Sequence, residues 1–156
     1  MKDDMLGLDR TEYTDMDIRL DGYWWNKLEL SHDERITTYF FYQNGVILHG
    51  RSMQVSQVEE KEKDFSSESF RKLVSSNKSG WGVFRVNGSK IKFEMWTSSN
   101  GGPLKTVVRS GEILNDETFV ITSFLNNYSG ETSTRNDTFY FKKFSPKPDS
   151  TNTFIE

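Results

Sequence analysis

The sequence predicts an all-β fold, an antiparallel up-and-down β-barrel of about eight strands with one short helix. Three observations lead there. Alanine, the strongest helix former, is absent from all 156 residues, which argues against a helix bundle. Aromatic residues reach 14%, with twelve Phe, six Tyr and four Trp, and they join Thr, Val and Ile in runs that suit a pleated surface. Those runs are punctuated by Asn-Gly pairs, the strongest short-range signal for a β-hairpin.

The elements follow in order. Residues 1–20 are acidic and weakly patterned, carrying Asp3, Asp4, Asp9, Asp15 and Asp17, and read as a leader or a capping segment. Residues 24–30 alternate, with Trp24, Leu28 and Leu30 on one face and Lys27 and Glu29 on the other. A polar turn at 31–34 leads to a strand over 36–42, the turn Asn44-Gly45 and a strand over 46–50. Both residues of such a turn are expected at positive φ. A second hairpin joins residues 81–86 to 91–97 through Asn87-Gly88, and a third runs through Asn100-Gly101-Gly102 to residues 104–109. Residues 112–114, the turn Asn115-Asp116 and a strand over 118–125 come next. Residues 126–136 read as a polar loop and 137–144 as the last strand, ended by Pro146 and Pro148 because proline cannot donate to a ladder. One barrel domain over 21–145 and a C-terminal tail over 146–156 complete the division.

Residues 58–76 break this pattern. A mixed charge cluster at 59–64 precedes Phe65, Phe70, Leu73 and Val74, which share a rough helical face. The spacing predicts one helix, about 66–75, between the third and fourth strands, acting as a plug over an open end or as a lid. A meander of about eight strands has two edges to protect, and closure into a barrel removes both. Such a barrel has an interior that side chains fill or that holds one small ligand.

Composition excludes several chemistries. With no cysteine there is no thiol nucleophile, disulfide framework or Cys-based zinc site, and two histidines make a transition-metal site unpromising. The net charge of −3 lacks the basic stripe that a nucleic-acid partner requires. No apolar run approaches the ~18 residues of a membrane span. The first residues hold no apolar signal core, which leaves two readings open: a cytoplasmic start, or a start Met replacing a removed export signal. The Asp15–Gly22 stretch misses the calcium-loop pattern, and Gly80-Trp81-Gly82 lacks the third glycine and βαβ setting of a dinucleotide fingerprint. No catalytic residue, cofactor or metal ligand is assigned. His32, in a polar turn, and His49, beside Leu48 on a strand, read as ordinary surface or strand histidines.

Gly22-Tyr23-Trp24 resembles the Gly-x-Trp signature of the lipocalins and the wider calycin superfamily. The Asn-Gly hairpins, the strand from Gly80 to Phe84 and the strand from Thr138 to Lys143 resemble the small lipocalin-like domains of bacterial proteins, so that the likeness spans residues 22–145. It implies that Gly22 and Trp24 close the base of the barrel, with a basic side chain, Arg135 or Lys142, set against the Trp. It also implies a non-enzymatic barrel that binds a small apolar or amphipathic molecule.

The aromatic excess supplies a candidate pocket for that molecule: Tyr39, Phe41, Trp81, Phe93 and Met95, with Trp25 and Trp96 as neighbours and Thr37 or Arg85 to orient a ligand. Strand alternation limits the set, since Phe93 and Met95 inside would put Trp96 outside. An outward Trp96 beside Trp25 would form a patch for a protein partner. The alternative function is thus an interaction or structural accessory domain with a side-chain-filled barrel.

Overall fold

The computed structural model describes residues 2–28, 34–98 and 101–156. Eight strands, β1 (Gly22–Leu28), β2 (Arg35–Phe41), β3 (Val46–Gln54), β4 (Trp81–Asn87), β5 (Lys90–Thr97), β6 (Lys105–Asn115), β7 (Thr118–Asn126) and β8 (Thr132–Lys143), follow one another around a closed antiparallel barrel. The seam closes where Gly22, Tyr23, Trp24 and Trp25 pair with Lys143, Lys142, Phe141 and Tyr140. The expected fold class is the observed one.

Three local readings change. Residues 104–109 and 112–114 belong to one strand, β6, which continues through Gly111 with a bulge at Ser110/Gly111. Residues 132–136, read as loop, open β8 and pair with β7 through Ser123↔Thr134, Phe124↔Ser133 and Leu125↔Thr132. This stretch is polar on both faces because it rises beyond the packed core, so alternation was absent while the backbone ladder remained. In the Asn44-Gly45 and Asn87-Gly88 turns only the glycine takes positive φ, 89° and 62°. The first is shaped instead by its asparagine, whose Oδ1 accepts from the Val46 amide. The readings at Leu30, His32 and Asn100 lie outside the described residues.

The segment between β3 and β4 forms two helices, α1 (Val58–Asp64) and α2 (Glu68–Ser76), rather than one. Ser67 caps α2 by accepting from the Phe70 amide. Phe70 and Val74 are buried while Leu73 stays 45% exposed, so the apolar face is narrower than the spacing suggested. The helices clad the outer wall of the barrel rather than an end. Phe65 meets Phe40 edge-on at 4.9 Å, and the Trp81 indole N–H donates to the Val74 carbonyl at 2.8 Å. The charge cluster takes part as well, since the Tyr23 hydroxyl donates to Glu62, which also pairs with Lys142.

Two hydrophobic cores result, one on each side of the wall. The inner core holds Trp24, Tyr39, Phe41, Ile47, Phe84, Phe93, Met95, Phe119 and Phe139. The outer core holds Tyr23, Phe40, Leu48, Phe65, Phe70, Trp81 and Trp96 beneath the helices and the chain termini. Both faces of β2 are buried for this reason, Tyr39 and Phe41 in the inner core and Ile36 and Phe40 in the outer one. The N-terminal segment caps one end by placing Tyr13 and Ile18 in the inner core.

Gly22 is required by closure. A Cβ at this position would lie 2.0 Å from the Lys142 carbonyl oxygen, so β1 and β8 approach too closely for any side chain. Gly22→Ala is expected to cost about 1–3 kcal/mol by overpacking, read as a lower urea midpoint with an unchanged slope.

Candidate functional site

The interior divides into a filled half and an open half. Toward the capped end, Phe41 packs edge-on against Phe84 at 5.0 Å and Phe93 at 5.8 Å, and Phe119 stacks on Phe139 at 4.7 Å. Phe41 and Phe93 are no more than 1% exposed, leaving no room for a ligand beside them. At the other end the wall splays on two sides. Pairing of β1 with β8 ends at Trp25↔Tyr140, and β3 pairs with β4 only through Val46, Ile47 and Leu48. The second gap arises because the chain leaves the wall to build α1 and α2 and re-enters at Trp81.

A cleft of about 680 Å³ occupies this mouth, bordered by Asn26, Thr37, Tyr39, His49, Arg109 and Asp137 among others. A second cavity of about 290 Å³ opens through the β3–β4 gap beside Arg51, Gly80, Met95 and Val107. Tyr39, His49 and Arg109 line both. Tyr39 packs on Phe139 at 5.4 Å and Phe93 at 5.8 Å, so an aromatic floor separates the cleft from the filled core.

The predicted pocket residues are distributed unequally. Tyr39 lines both cavities and Met95 the smaller one, whereas Phe41 and Phe93 lie beneath them in the packed core. Trp81 is on the opposite side of the wall, because its partner Leu48 faces outward and paired residues share a face. Thr37 borders the cleft, while Arg85 donates to the Asp9 carbonyl outside the barrel. Trp96 does face outward opposite Phe93 and Met95 in the alternation, yet it is only 5% exposed, its indole N–H donating to the Asp4 carbonyl. The N-terminal segment therefore occupies the surface expected to form a Trp96 patch, and Trp25 stacks instead on Tyr140 at 4.9 Å.

At the capped end, Trp24 is fully buried and its indole N–H donates to the Arg19 carbonyl at 3.0 Å. Neither Arg135 nor Lys142 meets it. Arg135 stacks on Phe124, Lys142 pairs with Glu62, and the guanidinium nearest the base is Arg19, over Phe141 at 4.7 Å.

Sequence character gave no cleft role to Asn26, His49, Arg51, Arg109 or Asp137, and set Arg135 against Trp24 instead. His49 is in phase with the inward Ile47, and that phase was the available signal. It sits against Tyr39 at 5.2 Å, and burial with the neighbouring Arg51 and Arg109 lowers its pKa to about 4. Because the imidazole is harder to protonate in the fold than in the open chain, the unfolded state binds the extra proton between pH 6.5 and about 4. Stability contributed by this group is intact above pH 6.5 and falls as pH drops to about 4, by roughly 2–3 kcal/mol. His49→Gln is expected to flatten that part of the curve, measured as the wild-type minus variant difference in denaturation free energy against pH.

The Asn26 side-chain oxygen is buried at the cleft without a hydrogen-bond partner. Such a group carries a desolvation cost that a ligand hydroxyl or amide relieves. No protein-family model, curated protein or solved structure matches this chain.

Proposed function

We propose that this protein is a non-enzymatic binding protein that holds one small amphipathic molecule in the mouth of its barrel. The observation that carries this reading is the division of the interior: a cleft of about 680 Å³, within the usual ~300–1,000 Å³ range of ligand pockets, opens above a filled core. Its floor, Tyr39 and Phe139, suits an apolar or aromatic body. Its walls, with Asn26, Thr37 and Arg109, suit a polar head. The lipocalin-like resemblance agrees with such a role. The binding rather than catalytic reading is supported by His49, whose pKa of about 4 makes it a weak base near neutral pH.

The test is native mass spectrometry of freshly purified protein, followed by organic extraction and displacement of an amphipathic fluorescent probe. One stoichiometric molecule, released on denaturation, is the expected result. Ser52 borders the cleft and is exposed, so Ser52→Trp is expected to fill the space and abolish probe binding without unfolding the barrel. A clean apo mass together with no probe binding would overturn the proposal and favour an interaction domain.

A further inference from the structure

We propose that the head of the ligand is an anion, a carboxylate or phosphate group, gripped between Arg51 and Arg109 where the two cavities meet. This rests on the reading of the mouth as the ligand site and adds the chemical class of the molecule.

The first argument is charge. Lys27, Arg51, Arg109 and Arg135 line the two cavities against the single carboxylate of Asp137, in a chain whose formal charge is −3. The second is that the two central guanidiniums have no ionic partner among the described residues. Arg19, by contrast, pairs with Asp21 and Glu117, and Arg10 donates to the carbonyls of Asn44 and Glu156. Arg109 instead lies over the face of Phe124, 5.1 Å from the ring centre, a contact that positions the group without neutralising it. Arg51 is half-buried, and that burial holds its guanidinium below the usual pKa. An uncompensated cation in such a place is costly, and a bound anion offsets the cost.

The third argument is backbone geometry. Among the described residues Arg51 is the one non-glycine residue at positive φ, 79°. The strain arises at a bulge: Thr38 pairs with Arg51 and Tyr39 with His49, leaving Gly50 unopposed. A Cβ at Gly50 would lie 2.5 Å from the Thr38 hydroxyl, so the extra residue has to be glycine. The bulge brings Arg51 beside Gly80 and into the wall of the smaller cavity. Left-handed non-glycine residues of this kind are retained where the surroundings over-determine them, most often at functional sites.

The remaining groups that face the anion are known. Tyr39 comes from β2, His49 from β3, Ser79 and Ser98 from the segments flanking β4 and β5, and Asp137 from β8. Asp137 lines the larger cleft and is absent from the smaller, which places the anion on the Arg51 side.

The experiment is calorimetric titration near neutral pH with dodecanoate, dodecyl phosphate, dodecanol and dodecyltrimethylammonium, each below its micelle concentration. The two anions are expected to bind about ten- to a hundredfold more tightly than the alcohol, and the cation most weakly. The better of the two anions identifies the head group. Arg109→Gln is expected to weaken the two anions far more than the alcohol, so that the anion preference is lost. Arg51→Gly is the second variant: it relieves the left-handed strain, so the protein stays folded, yet the anion preference disappears. In proton NMR the His49 ring, distinguished from His32 by a His32→Gln variant, is expected to titrate at higher pH once dodecanoate is bound. Equal binding of all four amphiphiles would overturn the anion site and leave the binding function standing. Binding of none would overturn both.

Discussion

Trp24→Ala is expected to lower stability by about 3–5 kcal/mol, the usual cost of truncating a fully buried tryptophan. In a chain of this length that corresponds to a fall of roughly 6–20 °C in Tm. Trp24 packs against Phe119 at 4.8 Å, Phe141 at 5.5 Å and Phe41 at 6.4 Å, and these rings are themselves locked in the filled half. The surroundings therefore have little freedom to collapse into the space, which favours the upper part of the range. The loss also leaves the Arg19 carbonyl without its indole donor and loosens the closed end. Trp24→Phe, which keeps most of the volume, is expected to recover more than half. Urea denaturation followed by tryptophan fluorescence measures both, and a Trp24→Ala loss under about 1 kcal/mol would contradict the packed inner core.

Glu94→Ala is expected to cost about 3 kcal/mol or more and to detach the N-terminal segment. The Glu94 side chain is 1% exposed on the outer face of β5 and accepts three hydrogen bonds. They come from the amides of Gly7 at 2.7 Å and Leu8 at 2.8 Å and from the Asn127 side chain at 2.8 Å. Hydrogen bonds to a charged acceptor contribute about 1.5–3 kcal/mol, and removing the acceptor leaves buried donors unmet. Glu94→Gln keeps the shape and one acceptor oxygen, so its loss is expected to be smaller. Limited proteolysis separates this outcome from general destabilisation. The alanine variant should be cut first within residues 2–12 while the barrel persists, because the Gly7 and Leu8 amides lose their acceptor and the ion pairs at Asp3 and Asp4 are partly exposed. Uniform fragmentation would show that Glu94 supports the wall and not the segment.

Much of the architecture was legible because it is local. The Asn-Gly turns, the alternation of Ile91, Phe93 and Met95, and the short links between strands report on backbone conformation a few residues at a time. Where local patterning stopped, reading stopped with it. Residues 132–136 have no apolar face, since no core lies beneath them, and β6 passes through Gly111 because close approach to Val120 removes the side chain that would have marked the strand. The site was less legible than the fold. Tyr39 and Met95 line the cavities whereas Trp81 faces the helices, and composition cannot say on which side of a two-sided wall an aromatic falls.

The sequence by itself determined the all-β class, the antiparallel order, most of the turns, and the opposite phase of Trp96 to Phe93 and Met95. Tertiary structure alone decided that the aromatics form two cores, that the N-terminal segment covers Trp96, and that the open half of the barrel is its cationic half. The physical reason is distance along the chain. Arg51 and Arg109 come from β3 and β6, and Glu94 and Gly7 are 87 residues apart. Side chains so far apart in sequence meet only through strand register and closure. A single unopposed glycine, Gly50, shifts that register and turns Arg51 toward the cavity.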